Sequence, residues 1–206
     1  MPKTAVAEKV DLYKLHKADY AASKEPAFVE IKTAKYLTVE GRGEPGGEAF
    51  QSSVGALYQA AYTIKMTKKF AGRDYKVCTL EAQWWSDDPE KCFAALPKAE
   101  WRWKLMIRIP DFITAADLKA AVAKCIEKGK GGPVEKVRIE SIKEGRCVQA
   151  LHVGPYDQEG ETAERMAAFA TAKGLAPRGP HHEIYLSDPG RVAPERLKTI
   201  LRQPVG

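Results

Sequence analysis

The sequence predicts an α+β protein made of two strand-helix-strand-strand modules, related by a pseudo-twofold axis and meeting at a ligand cleft. Three observations carry that prediction. Both halves run through the same series: strand, glycine turn, helix, strand, connection, strand. The closing strands match best, Lys104-Leu105-Met106-Ile107-Arg108-Ile109-Pro110 against Lys198-Thr199-Ile200-Leu201-Arg202-Gln203-Pro204. In the strand before each stands a glutamate, Glu81 or Glu183. Ligand sites commonly lie where such units meet, which places the two glutamates near one central groove.

The elements follow in order. Residues 1–26 are polar and read as an N-terminal arm with an amphipathic patch at Asp11–His16. Residues 27–206 form the domain, 27–111 its first module and 112–206 its second, which has a leading helix. Ala27 to Glu40 is strand-like, and Gly41 to Gly47 is a turn-rich loop. From Glu48 to about Phe70, residues Phe50, Val54, Leu57, Tyr58, Ala61 and Tyr62 recur at helical spacing, and Gly72 closes the helix. Tyr75–Trp85 and Trp101–Ile109 are neighbouring strands rich in β-branched and aromatic residues. The connection from Asp87-Asp88-Pro89 to Pro97 has room for a helical turn. A second helix spans Ile113 to about Lys128, with Thr114 as N-cap and Asp117 three residues on. Val134–Lys143 and Arg146–Val153 form a hairpin about Glu144-Gly145. Glu159–Lys173 is the third helix, and His181–Ser187 and Lys198–Val205 are the last strands.

Composition narrows the class of function. The chain has 206 residues, 44% hydrophobic and 29% charged, as globular domains do. Its net charge of +6 is dispersed and not blocked, which points to a solvated surface and away from direct nucleic-acid binding. No apolar run is long enough to span a bilayer, and Met1–Tyr20 lacks the apolar stretch of a signal peptide. Four cysteines without close pairs read as reduced thiols in a cytoplasmic protein, and they offer no start for a zinc site.

Several motifs invite chemistry and are better read blandly. Gly41, Gly43 and Gly46 spell GxGxxG, but Pro45 removes a donor a phosphate would need and the repeated βαβ order is absent. His181 and His182 are adjacent on a strand, so they point to opposite faces and cannot easily share an ion. No metal or cofactor is expected. The serines lack a nucleophile-elbow context, and Cys78 reads as a buried, inert thiol.

The stronger signal is an acid among aromatics. Strand alternation puts Glu183 and Tyr185 on one face of His181–Ser187, with His182 and Ile184 on the other. It aligns Glu81, Gln83 and Trp85 on one face, and Trp101, Trp103 and Leu105 on one face of the next strand. A carboxylate amid indoles suits a planar, cationic or polarised aromatic guest. Desolvation there raises its pKa, which is how a base or proton donor is made.

A family resemblance rests on Tyr36-Leu37-Thr38-Val39-Glu40-Gly41-Arg42-Gly43, Ala56-Leu57-Tyr58, Ala61-Tyr62-Thr63-Ile64-Lys65-Met66, His152-Val153-Gly154-Pro155-Tyr156 and Glu183-Ile184-Tyr185. Over about residues 26–206 the chain resembles the GyrI-like small-molecule-binding proteins, kin to effector-binding domains of multidrug-responsive regulators. The resemblance implies a curved antiparallel sheet around a central cleft, with Glu183 facing bound hydrophobic or cationic compounds. The long helix and tryptophan-rich strands look like the cyclopropanoid cyclopropyl hydrolases, which use an aromatic cage to hydrolyse DNA-alkylating natural products. The expected catalytic residues are Glu183 and Tyr185, Tyr185 donating to the oxygen where charge develops. The expected ligand-binding residues are Glu81, Trp85, Trp103, Tyr62, Met66 and Tyr156. A short arm in place of the regulators' helix-turn-helix argues against a transcription factor, and a monomer or homodimer is expected. The alternatives are a binding module that sequesters its guest unchanged, or an interaction protein in the manner of the family's gyrase inhibitor.

Overall fold

Residues 9–88 and 91–206 are described by the computed structural model. Within them the strands are β1 (Ala27–Ile31), β2 (Ala34–Arg42), β3 (Glu81–Trp85), β4 (Arg102–Arg108), β5 (Arg138–Ile142), β6 (Gly145–Val153), β7 (His181–Tyr185) and β8 (Lys198–Pro204). The helices are α1 (Leu12–Leu15), α2 (Glu48–Phe70), α3 (Ala115–Glu127) and α4 (Glu159–Thr171). All strand pairings are antiparallel, and the sheet curls into a half-barrel with the order β1-β6-β8-β7-β3-β4-β2-β5. That order reads alike from both ends. β2, β4 and β3 of one half answer β6, β8 and β7 of the other, and the halves meet where β3 pairs β7.

Each module uses its helix in the same way. α2 packs on β2 and β4, and α4 on β6 and β8, so the central seam of β3 and β7 is left without a helix directly over it. α3 stacks on α2 through buried Leu118, Ala121 and Cys125. Its start is the expected capping box: Thr114 Oγ1 accepts from the Asp117 N–H, and the Asp117 carboxylate accepts from the Thr114 N–H at 2.9 Å. Gly72, with φ +79°, turns the chain after α2, a conformation that L side chains rarely adopt.

Three local expectations are corrected. The strand-like stretch Ala27–Glu40 is two strands that part company: β1 pairs β6 at one edge, and β2 pairs β4 and β5 near the other. The expected hairpin at Glu144-Gly145 does not form, because β5 joins β2 and β6 joins β1 and β8. In each module the strand before the repeat crosses to the edge of its counterpart, a long-range exchange that local turn chemistry cannot foretell. Third, Tyr75–Trp85 is a strand only from Glu81; Tyr75 makes a lone bridge to Val10. The connection after β3 holds two short 3-10 turns, Phe93–Ala95 and Lys98–Glu100, while Pro89 lies outside the described residues. Of the arm, residues 1–8 also lie outside them; the rest forms α1 and a 3-10 turn, Lys17–Tyr20.

The register separates the two glutamates. Glu81 faces Met106 and Ile184 across its neighbours, whereas Glu183 faces Ala82 and Leu201. Laying Lys104 on Lys198 puts Met106 on Ile200, whose partners on the central strands are Glu81 and Ile184. The match of Glu81 with Glu183 was therefore one residue out of step, and in a strand one residue is the whole sheet thickness. Glu81 lies on the face away from α2 and α4, buried in a polar network. There Tyr20 Oη donates to it at 3.0 Å, and His182 bridges it (3.0 Å) to Glu144 (2.9 Å). Arg202 donates to Glu144, to Gln149 and to the main chain of Asp19, whose carboxylate accepts from Arg108 at 2.7 Å. Burial disfavours charge on His182, but the two carboxylates overcome it and push its pKa up to about 9. Glu144, despite burial, is held down at about 2 by His182 and Arg202. This network fastens the N-terminal segment to the sheet.

Candidate functional site

A hollow of about 1810 Å³ opens on the helix-bearing face, walled by α2 on one side and α4 on the other, with β3 and β7 as its floor. The helical stripe of α2 serves two purposes. Ala56, Leu57, Ala60, Ala61 and Ile64 are buried against the sheet, while Phe50, Val54, Tyr58 and Tyr62 turn toward the hollow. From α4 come Glu159, Ala163 and Met166, and from the floor Trp84, His181, Glu183 and Tyr185.

The aromatic side chains hold one another. Trp84 stacks with Phe50 (5.8 Å) and Phe93 (6.4 Å) and meets Trp101 edge-on at 5.6 Å. Phe93 also stacks on His181, and Tyr156 meets Tyr185 edge-on at 5.7 Å. Each such pair contributes roughly 0.5–1.5 kcal/mol beyond its area, so the wall is firm enough to present flat faces to a guest.

Glu183 sits among these rings with 12% of its side chain exposed. Tyr185 Oη donates to its Oε2 at 2.6 Å, and His181 Nε2 lies 3.8 Å from its Oε1. Burial raises the Glu183 pKa, and the bond from Tyr185 opposes that rise in part. Glu159 is raised too, first by burial and then by the charge of Glu183. Two carboxyl groups so placed repel one another's charge, so ionising both is disfavoured. Burial and its protonated neighbour His182 lower His181 to about 4, so its ring is neutral. Burial, then Glu183, raises Tyr185 well above the ordinary phenol range.

The placement of the expected residues is mixed. Glu183, Tyr185, Tyr62, Tyr156 and Trp85 all border the hollow, Trp85 from the end of β3. Glu81, Trp103 and Met66 do not. Glu81 is on the other face for the register reason given above. Trp103 is fully buried with its ring laid over Gly41, its partner on β2; a Cβ built there would come within 2.1 Å of it. Gly41 is therefore a strand residue beneath an indole, while Gly43 and Gly46, at positive φ, make the turn. Met66 lies on α2, 40% exposed and outside the wall. The Tyr185 hydroxyl donates to Glu183, so its proton is engaged by that carboxyl.

Sequence reasoning passed over Trp84, His181 and Glu159. Alternation alone places His181 with Glu183. Trp84 needed the pairing with Trp103, and Glu159 needed the tertiary approach of α4 to β7.

A family model described as the GyrI-like small molecule binding domain matches residues 24–205. Among solved structures, an uncharacterized conserved protein from Listeria innocua is similar at 37% identity and a TM-score of 0.89, covering 96% of this chain and 100% of that one. A hydrolase from Listeria innocua is similar at 37% identity and a TM-score of 0.85, with the same coverage. The EcmrR C-terminal domain, 13% identical with a TM-score of 0.57 over 88% of this chain and 97% of that one, shares the fold. No curated protein matches the chain.

Proposed function

The chain belongs to the GyrI-like small-molecule-binding domain family, and from that premise we propose that it takes a planar hydrophobic, aromatic or cationic xenobiotic into the hollow and hydrolyses it. The fitting electrophile is an activated cyclopropane conjugated to a carbonyl. One observation carries the reading: a single strand face presents a mostly buried carboxyl, Glu183, oriented by Tyr185, inside a wall of flat aromatic rings. The hydrolase name of a similar Listeria structure supports it.

In this reading the guest stacks among Phe93, Tyr62 and Tyr156, with Trp84 buried behind them and Trp85 at the border. Glu183 accepts a proton from water as the water oxygen bonds to the ring methylene. The strained C–C bond breaks, its electron pair flows through the conjugated system to the carbonyl oxygen, and that oxygen takes up a proton. Trp84 Nε1, a buried donor whose contacts to Glu183 and Tyr185 fall short of normal hydrogen-bond geometry, is the group we assign to stabilise that oxygen. Tyr185 is a positioning residue that holds the base.

The test is incubation with a spirocyclopropyl dienone, followed by mass spectrometry for the product that has gained one water. Glu183→Gln lowers turnover about 10²–10⁴-fold while tryptophan quenching by the compound persists. Unchanged turnover removes Glu183 from the chemistry. Quenching with no product from the wild-type protein leaves capture without chemistry.

A further inference from the structure

Tyr185, which holds Glu183, is the last residue of β7, and on its β3 side it lies beyond the last paired position, Glu81 opposite Ile184. The chain before Glu81 is irregular, so no strand continues the ladder there. Two bonds close the gap. The Tyr185 N–H donates to the Leu80 carbonyl at 3.1 Å, and the Thr79 hydroxyl donates to the Tyr185 carbonyl. Thr79 is itself fixed from the N-terminal segment, because its N–H donates to the Tyr13 phenol oxygen at 2.5 Å.

The rest of that segment grips the same stretch ahead of β3. Val10 exchanges main-chain bonds with Asp74 and Lys76, at 3.0 and 2.8 Å. Asp11 caps α1 through the Tyr13 N–H and pairs with Lys76, whose ammonium lies 4.6 Å over the Tyr13 ring. Tyr20 meets Tyr13 edge-on at 4.6 Å and donates to Glu81. Residues 74–81 are therefore held between the N-terminal segment on one side and the end of β7 on the other.

We propose that Tyr13 and Thr79 are positioning residues for the site: through the Tyr185 main chain they set the Tyr185 ring, and with it the carboxyl that Tyr185 holds. This rests on the reading of Glu183 as the base. The relay runs from Tyr13 Oη through the Thr79 N–H and hydroxyl to the Tyr185 carbonyl, and from Tyr185 Oη to Glu183. Thr79 borders the hollow, whereas Tyr13 does not and acts only through Thr79. Tyr156 steadies the Tyr185 ring edge-on, and the relay fixes its root. The bond from Tyr185 to Glu183 is 2.6 Å long, so a small shift of the ring loosens it. Displacements of about an ångström can cost on the order of a hundredfold in rate.

The experiment measures kcat and KM of the full chain on the spirocyclopropyl dienone. Beside them, NMR follows the titration of the isotopically labelled Glu183 carboxyl, assigned by its loss in Glu183→Gln. Thr79→Val keeps the shape and removes the hydroxyl; Tyr13→Phe keeps the ring and removes the acceptor. Each is expected to lower kcat about 5–50-fold with KM within about twofold. The Tyr185 bond opposes the rise of the Glu183 pKa, so its slackening raises the titration midpoint, by about half a pH unit or more. Glu159, His181, His182 and Trp84 also act on that carboxyl and are left in place by both changes. Thr79→Ser restores the hydroxyl and is expected to return both readings to the wild type. A purely structural role lowers the denaturant midpoint and moves neither reading. Wild-type kcat or an unshifted carboxyl in Thr79→Val overturns the proposal, as does a loss that Thr79→Ser does not repair. An unaffected Tyr13→Phe overturns the part assigned to Tyr13. Wild-type protein without turnover removes the hydrolase reading alone, and the carboxyl titration then decides the relay. Should Thr79→Val fail to fold, Tyr13→Phe reads the same relay from its far end.

Discussion

At the residue scale, Gly41 and Trp103 show how a motif can be present for a reason other than its usual one. The glycine-rich signature owes its first member to an indole lying flat where a Cβ would go. Gly41→Ala forces that ring, also in edge contact with Phe50, out of its place. The expected cost is about 1–3 kcal/mol, read as a lower denaturant midpoint at unchanged slope. A variant as stable as the wild type would show that the ring has room to yield. Trp84 and Trp85 make the same point about neighbours: alternation sends them to opposite faces, and only the pairing with Trp103 tells which one joins the aromatic floor.

At the scale of elements, the N-terminal segment is fastened by a buried charged network as well as by Leu12, which sits in the main core. His182, on β7, alternates away from the hollow into the network of Glu81, Glu144 and Arg202. Its folded pKa of about 9 lies above its unfolded value, so the stability it contributes is fully present below about pH 6.5 and is lost as pH rises through 9. Glu144 behaves oppositely: held down at about 2, it contributes above its ordinary pKa and ceases to as pH falls toward 2. Thermal or urea unfolding across pH 6.5–9 is expected to show a loss of about 1–3 kcal/mol in the wild type and a flatter profile in His182→Gln. Equal slopes in the two proteins would remove His182 as the source. Tyr20→Phe tests the fastening itself. It leaves buried Glu81 one donor short, at a cost of about 1–3 kcal/mol, and protease cleavage near residue 20 should become faster.

For the whole molecule, the hollow exists because two helices cover the outer strands of each half and neither covers the seam between them. A guest that fills it binds only the folded protein. At a hundred times its Kd it should stabilise by about 2.7 kcal/mol, a rise in Tm of about 5–10 °C for a chain of this size. Tryptophan quenching without that rise would place the guest somewhere other than a site made by the fold.

Periodicity was legible in several single segments: α2 runs Glu48–Phe70 as its spacing demanded, α3 begins at the Thr114 cap, and Glu183 and Tyr185 share a face. The repeat was legible too, because most of the matching segments, residues 104–108 and 198–204, lie in corresponding strands, β4 and β8, next to the central pair. What the residues could not disclose was pairing across distance. The exchange of β1 and β5 between halves, the single-residue offset that sends Glu81 to the far face, and the meeting of Glu159 with Glu183 all depend on which strands and helices come together. Local sequence determines which way a side chain points relative to its neighbours along the chain. Only the closed sheet decides what stands opposite it, since register is set by all the contacts of the assembled core at once.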